Sequence, residues 1–182
     1  MTDPLLDNLV QQARIAARSA SPSDAIRAVL KDSIGQSNEF ANAIAATEED
    51  ELLLFEDDTC SIWTCRYGSD LVFAPHEHRM PVHIAVYRGT EIEVLYKKEP
   101  GRLRHGGNKH VAAGDVVSLG PDAIHAITGE GDIQSHAIHI YEGPLTRVER
   151  HLFDWTTGAE VEFSMENFHA MARNRAEMKE LG

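Results

Sequence analysis

The chain has 182 residues, 42% of them hydrophobic and 25% charged, enough for one globular unit with a substantial buried core. A formal net charge of −12, with no basic run longer than two residues, disfavours capture of nucleic acid or an anionic membrane surface, because a polyanion would be repelled. No apolar run approaches the ~20 residues that cross a bilayer, and the opening MTDPLLDNLVQQARIAARSA lacks the basic-then-apolar order of a signal peptide, so the expected location is the cytoplasm.

Leu5, Leu6, Leu9, Val10, Ala13, Ala16 and Ala17 recur at the three-to-four spacing of an amphipathic helix that starts near Pro4. Ser21 as N-cap, Pro22 at the first helical position and Asp24 in the first turn predict a second helix, and a short third one follows from Ser37. From Glu51 to about Phe153 the pattern becomes β-like. The runs LLLFE, CSIWTC, DLVFAP, VHIAVYRG, EIEVLYK, DVVSLG, AIHAIT and SHAIHIY are broken by Gly, Pro and Asp, and predict a closed or double-sheet antiparallel structure. Ser164 then caps a helix carrying Met165, Phe168, Met171 and Ala172. The expectation is a mainly β, single-domain protein: a helical segment over 1–50 packed on a barrel over 51–160, with a C-terminal helix within 161–182.

Several polar residues read as surface. GRLRHGGNKHVAAGD, with His105 and His110, is expected to be a mobile Gly-rich loop, and Glu91 and Glu93 a solvated outer face. His136 and His151 are expected at the surface. Cys60 and Cys65, five apart in a β-like run, fall on opposite faces of a strand and read as two reduced thiols.

The stretch APHEHRMPVH, residues 74–83, is the candidate site. His76 and His78 alternate through Glu77, so on a strand both imidazoles project from one face at a separation that suits one metal. An H-x-H pair is commonly just a solvated polar face. Here the flanks DLVFA and IAVY favour burial, where two uncompensated imidazoles would cost free energy that a metal would offset. His125, after the turn in SLGPDAIH, is placed to be a third ligand from a neighbouring strand.

These pieces in this order, with SHAIHIYEGPLTRVERHLFD behind them, resemble the cupin superfamily and within it the thiol dioxygenases, the cysteine and 3-mercaptopropionate dioxygenases. The resemblance covers residues 52–160. It implies a double-stranded β-helix (jelly-roll barrel), Fe(II) on His76, His78 and His125, and a small carboxylated thiol and O2 as reactants. Other divalent metals such as Ni, Zn or Mn could stand in for iron. It further implies a His139–Tyr141 pair beside the metal and Arg150 as a carboxylate clamp.

The sequence also departs from that pattern. Ala137 stands where the family has a serine, with Ser135 displaced. The stretch DELLLFEDD has no arginine, and the position of the family's crosslinking cysteine falls at Val82 or His83. His83 also lies in the window of a fourth cupin ligand, although an unbroken strand from His78 would point it to the opposite face. Two alternatives therefore stay open: a metal-dependent cupin enzyme of different chemistry with four histidines, or a non-catalytic module binding a metal or small ligand. Assembly into a homo-oligomer is likewise left open.

Overall fold

In the computed structural model, which describes residues 3–181, three helices come first. Residues 1, 2 and 182, the ends of the expected helical segment and C-terminal helix, lie outside the described residues. Asp3 caps α1 (Pro4–Ala16) by accepting from the Leu5 N–H, and Pro4 sits in the first turn, where its missing donor costs nothing. Ser21 precedes α2 (Pro22–Ser33) but its side chain makes no capping bond, and α3 (Ser37–Ala45) follows a short 3₁₀ turn. The apolar faces of all three, including Leu6, Leu9, Ile26, Leu30, Phe40 and Ile44, form one cluster with Ile62, Ala85, Tyr87, Ile138 and Ile140 from the strands below.

The strands are β1 (Glu51–Glu56), β2 (Ser61–Cys65), β3 (Leu71–Glu77), β4 (Val82–Arg88), β5 (Thr90–Glu99), β6 (Arg102–Ala112), β7 (Val116–Leu119), β8 (Ile124–Gly129), β9 (His136–Tyr141), β10 (His151–Phe153), β11 (Glu160–Glu162) and β12 (Arg173–Asn174). One sheet has the order β1-β2-β9-β4-β7; the other has β11-β10-β3-β8-β5-β6, with β12 added to β3. Neighbouring strands run antiparallel, and from β2 to β10 the chain changes sheet at most connections. This is the double-stranded β-helix, a jelly roll whose two sheets face each other over a shared interior. The helices cover the outer face of the first sheet. Among the described residues, no helix is long and apolar enough to cross a membrane.

All eight expected strands are present, and three features differ from the sequence reading. The supposed mobile loop is β6, an edge strand paired along its length with β5 through a reversal at Pro100-Gly101, where Gly101 has φ +74. Its charges and glycines, which hid it, suit an exposed edge. The C-terminal helix α4 (Met165–Ala170) is short, and the tail beyond it lies along the second sheet as β12 and two 3₁₀ turns. Finally, Glu91 and Glu93 do not face solvent. Both are fully buried in the barrel interior, because the apolar stripe Ile92, Val94 and Tyr96 points outward instead, where Val72, Ala126 and Met178 of the tail cover it.

Candidate metal centre

β3 and β8 pair so that His76 lies directly opposite His125, with ring centroids 4.3 Å apart. His78 follows just past the end of β3, before the chain turns through Arg79, whose φ of 59° breaks the strand. One ligand atom from each of His76, His78 and His125 falls within 4.8 Å of the other two. All three residues are buried.

The donor set fits a divalent metal. The Nδ1–H of His76 donates to the Ala74 carbonyl at 2.9 Å, and that of His125 donates to the Glu93 carboxylate, which leaves both Nε2 lone pairs free. Burial is the main cause that pushes the pKa of His76 and of His78 well below the usual imidazole range, so both stay neutral as ligands must. His125 Nε2 and His78 Nε2 are 3.3 Å apart. Two nitrogens each ~2.1 Å from one ion at a tetrahedral angle would be about 3.4 Å apart. The second oxygen of Glu93 is buried with no hydrogen-bond partner among the described residues, and positive charge at the imidazoles would offset this carboxylate.

A second chain of contacts runs alongside. Tyr141 lies edge-on to His78 with centroids 4.9 Å apart, and its hydroxyl is 3.4 Å from His139 Nδ1. His139 Nε2 meets Glu91 at 3.1 Å, Ser135 donates to the other Glu91 oxygen at 3.1 Å, and the Tyr67 backbone N–H donates to Ser135 at 3.1 Å. Glu91 thus links His139 to Ser135. Burial opposes charge on His139, but Cys65 and Glu91 beside it outweigh that and hold its pKa well above the usual value. Burial pushes the Tyr141 phenol up, so it remains an O–H donor.

His76, His78, Tyr141 and Arg150 open onto one cavity of about 40 Å³, also lined by Trp63, Cys65 and Phe168. Phe168 of α4 stacks on Phe73 and meets His76 edge-on at 5.2 Å, so α4 closes the wall nearest the histidines. The guanidinium of Arg150 lies 3.2 Å over the Phe163 ring, and burial lowers its pKa to about 10. It makes no ion pair with a described carboxylate.

His83 is not part of this group. β4 belongs to the other sheet, and residues 83, 85 and 87 face the helices while Val82, Ile84 and Val86 face the interior. His83 is buried between Ser118 and Glu142, each at 2.7 Å, and Ser23 of α2 also reaches Glu142. It is a tie between sheet and helix, which corrects its reading as a fourth ligand. Val82, paired with Tyr141, is an inward residue of β4. His136 is buried under α3, donating to Ala41 O at 2.8 Å, rather than at the surface; His151 is half-buried against Glu77. Cys60 and Cys65 are both buried and unpaired, on opposite faces. Sequence reasoning missed Glu91 and Glu93; their E-x-E alternation was visible, but not the face they take.

No family model matches the chain, and no curated protein matches it. Among solved structures, it is similar to an uncharacterized conserved protein with a double-stranded beta-helix domain from Klebsiella pneumoniae, at 13% identity over 64% of this chain and 87% of that one, TM-score 0.47. A cupin superfamily protein from Desulfitobacterium hafniense is 18% identical over 56% of this chain and 85% of that one, TM-score 0.43. A structure of the DMSP lyases RdDddP and RnDddQII is 18% identical over 50% of this chain and 42% of that one, TM-score 0.39. These likenesses are too distant to speak to a reaction. The class rests on the chain's own strand order and histidine cluster: a double-stranded β-helix with a candidate metal centre in its interior.

Proposed function

We propose that the protein is a mononuclear, Fe(II)-dependent thiol dioxygenase that converts a small carboxylated thiol and O2 into the sulfinic acid, R–SH + O2 → R–SO2H. The observation that supports this reading is a single cavity onto which buried, neutral histidines and an arginine without a carboxylate partner among the described residues both open. His76, His78 and His125 would hold the ion through Nε2. When bound there, Fe(II) would supply open coordination positions and one-electron chemistry for a thiol and O2.

The protein's own groups do the positioning. Arg150, held over the Phe163 ring, would present its fork to a carboxylate and so fix the distance from that group to the sulfur. Tyr141 stays protonated and donates a hydrogen bond toward the reactants. His139, charged and anchored by Glu91, keeps the tyrosine in place. Phe168 and Phe163 keep water from the histidine face of the cavity.

Oxygen consumption by the Fe(II)-loaded protein tests the reading with 3-mercaptopropionate, cysteine, cysteamine, mercaptosuccinate and a thiol-free carboxylate. Uptake is expected with a carboxylated thiol, stoichiometric with sulfinate, and not with cysteamine. Iron-loaded protein inert toward every thiol in the panel would overturn it.

A further inference from the structure

Glu51 opens β1 directly opposite Cys65 of β2, and its side chain lines the same cavity as Arg150, His76 and His78. It is 13% exposed, accepts a hydrogen bond from the Tyr67 hydroxyl at 2.8 Å, and has the exposed His169 imidazole at 3.6 Å as its ion-pair partner among the described residues. Burial pushes its carboxyl pKa upward. Glu51 and Arg150 do not pair with each other; Arg150 rests on the Phe163 ring instead. The cavity therefore holds a cation and an anion apart on its walls, and each carries a desolvation cost that a ligand of opposite charge would offset.

We propose that Glu51 is a cation subsite, holding the ammonium of a zwitterionic amino acid whose carboxylate lies on Arg150 and whose side-chain sulfur reaches His76 and His78. The role given to the sulfur rests on the dioxygenase reading; the charge clamp does not. In this arrangement the amine keeps its proton and its charge, and is recognised by the protein rather than by a metal. 3-Mercaptopropionate would set a methylene against Glu51 and leave the carboxylate uncompensated. The substrate class narrows from any carboxylated thiol to amino-acid thiols, with Glu51 as the residue that decides.

The test is calorimetric titration of the metal-loaded protein with L-serine, 3-hydroxypropionate and ethanolamine, which keep the shape of the thiols but cannot form a sulfinate. Serine is expected to bind at least about tenfold more tightly than either ligand that lacks one charge. Glu51→Gln should bring serine down to the level of 3-hydroxypropionate and leave 3-hydroxypropionate unchanged or tighter. Wild-type protein that binds 3-hydroxypropionate as tightly as serine overturns the proposal, as does a Glu51→Gln variant that weakens both equally. The wild-type comparison needs no variant to fold. Parallel oxygen uptake with cysteine and 3-mercaptopropionate separates the two ideas. Serine preference without uptake from any thiol retires the dioxygenase and keeps the clamp; uptake without serine preference does the reverse.

Discussion

Replacing Glu93 by glutamine keeps its shape and removes a charge from the middle of the barrel. Glu93 is fully buried; one oxygen contacts His125 Nδ1 and the other has no hydrogen-bond partner. The change has opposite consequences in two states. In metal-free protein it removes an incompletely compensated buried anion, so stability should hold or rise. In metal-loaded protein it removes the carboxylate that orients His125, raises its basicity and offsets the charge of the ion. Partners of this kind are worth about 10–100-fold in metal affinity, or ~1.4–2.7 kcal/mol. At a fixed excess of free metal that amount is lost from the stabilisation by binding. For a chain of this size each kcal/mol moves Tm by about 2–4 °C, so the gap in Tm between metal-loaded and chelator-treated protein should narrow by about 3–11 °C. Scanning fluorimetry in both states measures it. An unchanged gap, or a metal-free variant several degrees less stable than wild type, would show that Glu93 is a structural partner of His125 and does not tune the metal; a wild-type protein with no gap at all would refute the metal centre.

Other substitutions probe the remaining parts. His76→Ala or His125→Ala should abolish the metal-dependent rise in Tm. His83→Ala should keep that rise but lose about 1–3 kcal/mol in urea unfolding, because Glu142 and Ser118 lose their shared partner. Arg150→Met should lower kcat/KM for carboxylated thiols by about 10–100-fold, the value of a charge-assisted pair, and equal losses on a thiol without a carboxylate would refute the clamp. Phe168→Ala should cost about 3–5 kcal/mol as a buried aromatic and admit bulkier thiols, read from unfolding and from the substrate panel. His139 gives a pH dependence. Its folded pKa lies well above the ~6.5 of the unfolded chain, despite burial, because of Cys65 and Glu91. The stability it adds is complete below about 6.5 and is lost as pH rises through the folded value. Urea stability measured upward from neutral pH should fall in wild type and fall less in Glu91→Gln; identical slopes would remove His139 as the cause.

Much of the architecture was legible because strands and helices advertise their buried faces. The N-terminal helices carry apolar residues at helical spacing, and the eight apolar β runs each became a strand within a residue or a few at either end. The metal candidates were legible for a related reason: His76 and His78 share a face by strand parity, and His125 opens another apolar run after a turn, which the structure pairs with β3. β6 was illegible because an edge strand with one solvated face and two glycines has the composition of a loop.

The misplacement of Glu91 and Glu93 has a different origin. Strand alternation separates two faces but does not say which is the inside, and apolar content normally decides. In β5 that rule inverts, because residues far along the chain, Met178 and Leu181 with Trp155, cover the outer face and make it a second core. The inner face is then free to carry two carboxylates, each set against a histidine, Glu93 on His125 and Glu91 on His139. A buried carboxylate is tolerated only with a partner that stays charged or a cation nearby. Glu91 has the first in His139, whereas Glu93 has one oxygen on His125 and the other with no hydrogen-bond partner among the described residues, and a cation at the three histidines would offset its charge. The residues that sequence parity sent to solvent are therefore the ones set directly behind the histidines of the candidate site, Glu93 behind His125 and Glu91 behind His139.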